Sequence, residues 1–288
     1  MSDVCFCGFK KEINKPSCCV QCFIGKGHGV LCKKILCNDC DDNNKITKVI
    51  HKTGPNTNNF DKLEKIFDND KKYLFNNLIY YNDNDCDNII KNNFPIKIYL
   101  AFKMLVPPAF KSDIFRYCIL YLKGGIYLDL TNSFIKKYLI DDTIDIILVK
   151  DRPYHNLDRV QISFIAAKPK LNFFKFLLLN ICNNILNKKY GIEPLDITGP
   201  RAFMKYFSIF FKMKKLNMGT YIVKGLDNKN YKIQCILKES GNYEIKNLNN
   251  ETIIRSKVLG ENIHREILND KNRTKNYHKL WHEKRIFL

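Results

Sequence analysis

Two groups of residues have the types and spacing for chemistry. The first is Asp113, Arg116 and Asp129, inside the stretch Phe110 to Ser133, FKSDIFRYCILYLKGGIYLDLTNS. Two carboxylates and a guanidinium are the groups that hold polar ligands by charge-assisted hydrogen bonds. The second group lies in residues 1 to 42 and holds eight of the chain's 12 cysteines, with one histidine among them. Cys19/Cys22 and Cys37/Cys40 are Cys-x-x-Cys pairs, a spacing that brings two thiolates onto one ion from a tight turn.

For Asp113, Arg116 and Asp129 to meet, the stretch between them must fold as a helix, a turn and a strand. Ile114, Phe115, Cys118, Ile119 and Leu122 recur at helical spacing, with Ser112 and Asp113 placed to cap the helix start. Gly124 and Gly125 end it, since glycine takes backbone angles other residues resist. Ile126, Tyr127 and Leu128 then read as a short buried strand that delivers Asp129. In an α/β sheet, the crevice outside the strand ends is where ligands bind. Each of the three residues also has an ordinary role open to it: a cap, a surface charge, a strand end. Their combination in this order is what points to a site.

The ordered set Lys111-Ser112-Asp113, Arg116-Tyr117 and Gly124-Gly125-Ile126-Tyr127-Leu128-Asp129-Leu130-Thr131 resembles glycosyltransferase family 32, the mannosyltransferase-like sugar transferases with a DXD motif. Their pattern runs Ser-Asp, Arg-Tyr, then Gly-Gly-Ile-Tyr-Leu-Asp-x-Asp. Thr131 stands where the second Asp of that pattern ligates a divalent metal, so a manganese or magnesium ion would rest on Asp129, the diphosphate and water, or give way to basic side chains. Elsewhere, Lys48-Val49-Ile50-His51-Lys52 resembles the family's first strand. Val160 to Ala167 resembles a strand ending near the acceptor, where Gln161 or Ser163 stands near the family's Asn. Thr198-Gly199-Pro200 resembles a turn that lines the cleft before a helix.

The resemblance implies a GT-A α/β fold, a mixed, mainly parallel sheet flanked by helices, over residues 44–288. It implies transfer of a sugar, with retention, from a nucleotide diphosphate sugar to a hydroxyl of a glycan, protein or lipid. Asp129, Asp113 and Arg116 would be catalytic. His51, Lys52, Tyr127, Gly124, Gly125, Gly199 and Pro200 would line the donor site. From the C-terminus, His278, Trp281 or His282 would reach the donor phosphates, the indole N–H being a good phosphate donor.

Residues 1–42 lie outside this resemblance. Cys5, Cys7, Cys19, Cys22, His28, Cys32, Cys37 and Cys40 read in pairs, an order loosely similar to cross-braced two-zinc modules of the RING and B-box type. Cys18 either stands in for Cys19 or is left over. So few residues build little apolar core, and structural zinc would supply the folding energy. Disulfides are the other use of such cysteines, and belong to oxidising compartments. The module would recruit a protein partner, bind nucleic acid or brace the N-terminus.

The totals set limits. A length of 288 residues suits one large domain with an appendage, and 45% hydrophobic residues suffice for a core. No apolar run is long enough to cross a bilayer, and the N-terminus has no secretory pattern, which leads us to expect a cytoplasmic location, in a host cell or a virion if viral. The net charge of +19 is spread along a chain rich in Asn, Lys and Ile rather than gathered in a stripe. Nucleic acid is therefore not the expected partner, and a basic cleft suits an anionic nucleotide sugar. Two other readings use the same residues. In one, an inactive GT-A scaffold carries the zinc module as an adaptor; in the other, that module makes the chain a ubiquitin-type ligase.

Overall fold

The computed structural model describes residues 45–55, 60–73, 77–151, 160–239, 244–256 and 277–288. The expected zinc module lies outside the described residues.

The described chain forms a ten-stranded sheet with helices packed against it. Strands β1 (Val49–Thr53), β2 (Asn77–Tyr81) and β3 (Gly125–Leu128) come first, with the two-residue β4 (Ser133–Phe134) close behind. Next are β5 (Ile146–Lys150), β6 (Val160–Ala167), β7 (Gly219–Lys224) and β8 (Asn230–Lys238). The last two are β9 (Glu244–Lys246) and β10 (Thr252–Arg255). Their order across the sheet is β2-β1-β3-β6-β5-β8-β9-β10-β4, and β7 pairs with β8.

The expectation of a mainly parallel sheet is corrected. Only β1–β2, β1–β3 and β5–β8 run parallel. The remaining pairings are antiparallel, because β6 runs back between β3 and β5, and hairpin-like returns follow β8. The parallel edge is the one that matters for the site. There β1 and β3 end side by side, with Ile50 opposite Ile126 and His51 opposite Tyr127.

The helices are α1 (Phe60–Tyr73), α2 (Asp83–Asn93), α3 (Ile96–Met104), α4 (Pro108–Lys123), α5 (Asn172–Leu186), α6 (Pro200–Phe211) and the short α7 (Tyr277–His282). One apolar core lies between the sheet and α4, α5 and α6, dense in phenylalanine; a smaller one lies on the other face around Ile50, Ile126, Phe134 and Phe164. Asn82 and Asp85 form a capping box at the start of α2.

One local difference bears directly on function. Helix α4 begins at Pro108, with Pro107 as its cap residue, and not at Ser112. Proline at the first helical position costs no hydrogen bond, since that N–H is an orphan in any helix. Asp113 is therefore a full turn inside the helix, and its carboxylate is available to side chains instead of capping N–H groups.

Candidate functional site

The site is assembled on three elements that end near one another. Helix α4 contributes Asp113 and Arg116, one turn apart and so on the same face. Asp129 follows β3 directly, and Thr198 precedes α6. Arg116 Nη1 donates to Asp113 Oδ1 at 2.9 Å, and its Nη2 donates to Asp129 Oδ1 at 2.9 Å. The Thr198 hydroxyl donates to Asp113 Oδ2 at 2.9 Å. Arg116 is thus clamped between two carboxylates, 4% exposed, while the Asp129 side chain is 41% exposed. The arrangement has a buried cation at its centre and an accessible carboxylate at its mouth.

Neighbouring aromatics fix the guanidinium. Its central carbon lies 4.4 Å from the centre of the Tyr127 ring, a stacked cation–π contact. The Tyr127 hydroxyl in turn meets Thr53 Oγ1 at 2.8 Å, and Tyr117 donates to the Thr198 carbonyl at 2.7 Å. Burial raises the Asp113 carboxyl to about 6, against the charge of Arg116 and the Thr198 hydrogen bond, with the Asp129 charge adding to the rise. Burial alone would weaken the charge on Arg116, but Tyr127, Asp129 and Asp113 outweigh it and the guanidinium is held more firmly charged than usual.

Beside this cluster opens a pocket of about 550 Å³ at the carboxyl ends of β1 and β2. Its walls include Thr53, Asp83, Asn84, Val106, Lys111 and Ser112. Thr53 and Ser112 adjoin the cluster itself: one bonds Tyr127, the other precedes Asp113 in α4. Ligands of α/β proteins bind at this end of a sheet, and the volume lies within the ordinary range for small-molecule sites.

Several residues expected to line the donor site have other partners. His51 is buried, with Nε2 3.0 Å from the Gly124 carbonyl and Nδ1 3.0 Å from the Tyr81 hydroxyl. The carbonyl only accepts, so Nε2 carries the proton and Nδ1 accepts from Tyr81. Burial, with a smaller contribution from the Lys123 charge, lowers His51 to about 4 despite the Gly124 hydrogen bond, and it stays neutral. Gly124 and Gly125 lie at the amino end of β3, a strand's length from Asp129. They are glycines for packing: φ is +65° and +89°, and a Cβ on Gly125 would meet the Val49 carbonyl oxygen at 2.7 Å. Tyr127 supports Arg116 from below. Gly199 caps α6 and Pro200 opens it, and their neighbour Thr198 is the residue of that turn that reaches the cluster. The Trp281 indole N–H donates to the Tyr190 carbonyl at 2.8 Å, which leaves it no donor for a phosphate. His278 is exposed beside the Tyr277 ring, and Tyr277 packs on Phe110, where burial first and then the Asp113 charge raise its hydroxyl.

Lys52 is the largest departure. It is fully buried, ion-paired with Asp70 at 3.0 Å, and bonded to main-chain carbonyls of the turn after β3. A phosphate would not reach it. Among the described residues, no three His, Cys, Asp or Glu side chains gather to hold an ion. Asp129 Oδ1 is engaged by Arg116, Thr131 is neutral and 6% exposed, and a buried ammonium lies behind the turn. From this turn the chain offers a divalent ion one exposed carboxylate, Asp129, and the remaining ligands would have to be diphosphate and water.

The sequence places Tyr117 and Thr198 in the Arg-Tyr and Thr-Gly-Pro segments without showing that one donates to the Thr198 carbonyl and the other to Asp113, and it gives no signal for Thr53.

Residues 41–148 match the family described as glycosyltransferase sugar-binding region containing DXD motif. Among solved structures, the PaToxG glycosyltransferase is similar with a TM-score of 0.42 and 17% sequence identity, over 57% of this chain and 69% of that one. No curated protein matches the sequence. No described helix is long and apolar enough to cross a membrane.

Proposed function

We propose that the protein is a glycosyltransferase that takes a sugar from a nucleotide diphosphate sugar and transfers it, with retention, to a hydroxyl of a glycan, protein or lipid. The observation that carries this reading is the Asp113–Arg116–Asp129 clamp, set at a sheet's carboxyl end within the stretch that matches the sugar-binding region. The pocket lined by Thr53 and Ser112 would take the nucleotide, and the half-exposed Asp129 would accept hydrogen bonds from donor hydroxyls. Fixing the sugar between a rigid carboxylate and the pocket holds its anomeric carbon against the acceptor, and orientation of this kind lowers the barrier. Charge building on the leaving diphosphate needs cations or N–H donors nearby. Lys111 and Lys103, the latter paired with Asp87, are the basic side chains on the pocket wall that could serve.

The test is calorimetric titration of the full chain with a panel of nucleotide sugars, followed by donor hydrolysis. One donor should bind, and Asp129→Ala should weaken its binding and reduce turnover by at least about a hundredfold, the scale of losing a charged contact made at the reacting centre. Thr131, in place of the second carboxylate, favours a second reading: a scaffold that binds no donor and acts through residues 1–42. No binding by any donor would favour that reading.

A further inference from the structure

Lys52 sits beneath the turn that carries Asp129. Its Nζ lies 3.3 Å from the Asp129 carbonyl oxygen, 3.4 Å from that of Leu130 and 2.5 Å from that of Asn132. The fourth neighbour is Asp70 Oδ2 at 3.0 Å, and both side chains have no solvent exposure. Burial pulls the Lys52 amine down and Asp70 opposes it; three carbonyl oxygens and a carboxylate around one nitrogen suit the charged form, whose three N–H groups can serve the carbonyls while its charge pairs with Asp70. A neutral amine has two N–H groups and would turn its lone pair toward the other oxygens. The coordination sphere is that of an oxygen-lined cation site, filled by the protein's own cation.

Asp70 anchors that cation from the other side. Its Oδ1 accepts from Ser133 Oγ at 2.9 Å and from the Phe134 amide at 2.8 Å. One buried pair therefore joins α1, β1, the turn and β4. The turn has two further ties, from the Asp129 amide to the Ser163 carbonyl at 2.8 Å and from the Asn132 amide to the Asp129 carbonyl at 3.0 Å. Every carbonyl that Lys52 holds belongs to the segment that carries Asp129 and Thr131.

We infer that Lys52 is the positioning residue of the donor site: its fixed ammonium, held by Asp70, orders the Asp129–Asn132 turn from inside, so the turn takes its binding geometry without a divalent ion. Two observations on opposite sides of the turn agree. Outside, the turn offers only one carboxylate, Asp129, which is already paired with Arg116, beside a buried threonine. Inside, the main-chain oxygens that a loose turn would leave unsatisfied are bonded to a lysine. The consequence for the donor, that it binds equally with and without manganese, rests on the function proposed above. The order of the turn does not, and it is measured without donor.

The experiment is amide hydrogen exchange on the full chain, dialysed and then compared with and without manganese. Amides of residues 129–134 should be protected in both conditions. The double variant Lys52→Met/Asp70→Asn removes both charges together, keeps an acceptor for the Phe134 amide and leaves no lone buried charge. It should lose protection in residues 129–134 by about tenfold or more, the scale of losing charge-assisted hydrogen bonds, while β5 and β6 keep theirs. Exchange as an open loop until manganese is added would overturn the inference, as would a folded double variant with the turn still protected. The wild-type comparison stands alone if the variant fails to fold. If the turn is protected and no donor binds, the function proposal fails and this one stands.

Discussion

Asp113 is the residue whose protonation reports on the site. Its carboxyl is raised from 3.8 to about 6, first by burial and then by the Asp129 charge, with Arg116 and Thr198 opposing. At neutral pH it is ionised and helps bracket Arg116; as pH falls through about 6 it gains a proton and one side of the clamp loses its charge. Donor binding should therefore weaken below that point, and Asp113→Asn should bind weakly at every pH with no inflection. Stability has the opposite sign. The folded state holds this proton more tightly than the unfolded chain, so the group favours the fold most below 3.8, and that contribution is lost as pH rises through about 6. Thermal unfolding across this range should show Asp113→Asn gaining on the wild type as pH rises. A constant difference between the two would place the titration on another group. Sequence could indicate Asp113, Arg116 and Asp129, because they stand in one local unit. It could not indicate Lys52 under the turn or Thr198 on Asp113, contacts that span 77 to 85 positions and leave no local pattern.

At the scale of elements, the helix–turn–strand unit of α4 and β3 was legible because its signals are local: apolar spacing, a glycine pair, a buried run. Strand β6 was legible to the residue, at Val160–Ala167. Ser112 and Asp113 are good capping types and point to a start there, but the proline pair four residues earlier is the stronger start, and α4 begins at Pro108. Strand direction was not legible either, since it is set by which strands become neighbours and not by any one strand's residues. The glycine pair is the element's structural limit. Gly125 has φ +89°, and a Cβ there would meet the Val49 carbonyl oxygen at 2.7 Å and Thr47 Oγ1 at 3.0 Å. Gly125→Ala should cost about 2 kcal/mol or more, the sum of a disfavoured backbone region and a clash across the β1–β3 pairing. Urea unfolding of the full chain measures it. A change within experimental scatter would mean that β1 and β3 separate at that end more easily than their pairing indicates.

For the molecule as a whole, the pocket depends on chain that is remote in sequence. The segment Ile286–Leu288 clasps the connection between α3 and α4: the Val106 amide donates to the Ile286 carbonyl at 2.9 Å, the Leu288 amide to the Met104 carbonyl at 2.8 Å, and Leu105 bridges Phe287. Val106 lines the pocket, and Pro108 two residues later opens the helix that carries Asp113 and Arg116. Of the C-terminal residues expected at the donor phosphates, Trp281 gives its indole N–H to the Tyr190 carbonyl. Ile286 is wholly buried, so Ile286→Ala should destabilise by about 2–4 kcal/mol through lost burial and the cavity left behind. If the clasp sets the wall, the same change also weakens donor binding at temperatures where the protein remains folded. Leu100→Ala, on the same connection's helix but 47% exposed, should alter neither property. Unfolding midpoints and donor titrations on the three proteins separate the two effects: a loss of stability with unchanged affinity would make the clasp a fastening of the fold alone, whereas a parallel loss of affinity would make the far end of the chain part of what shapes the site.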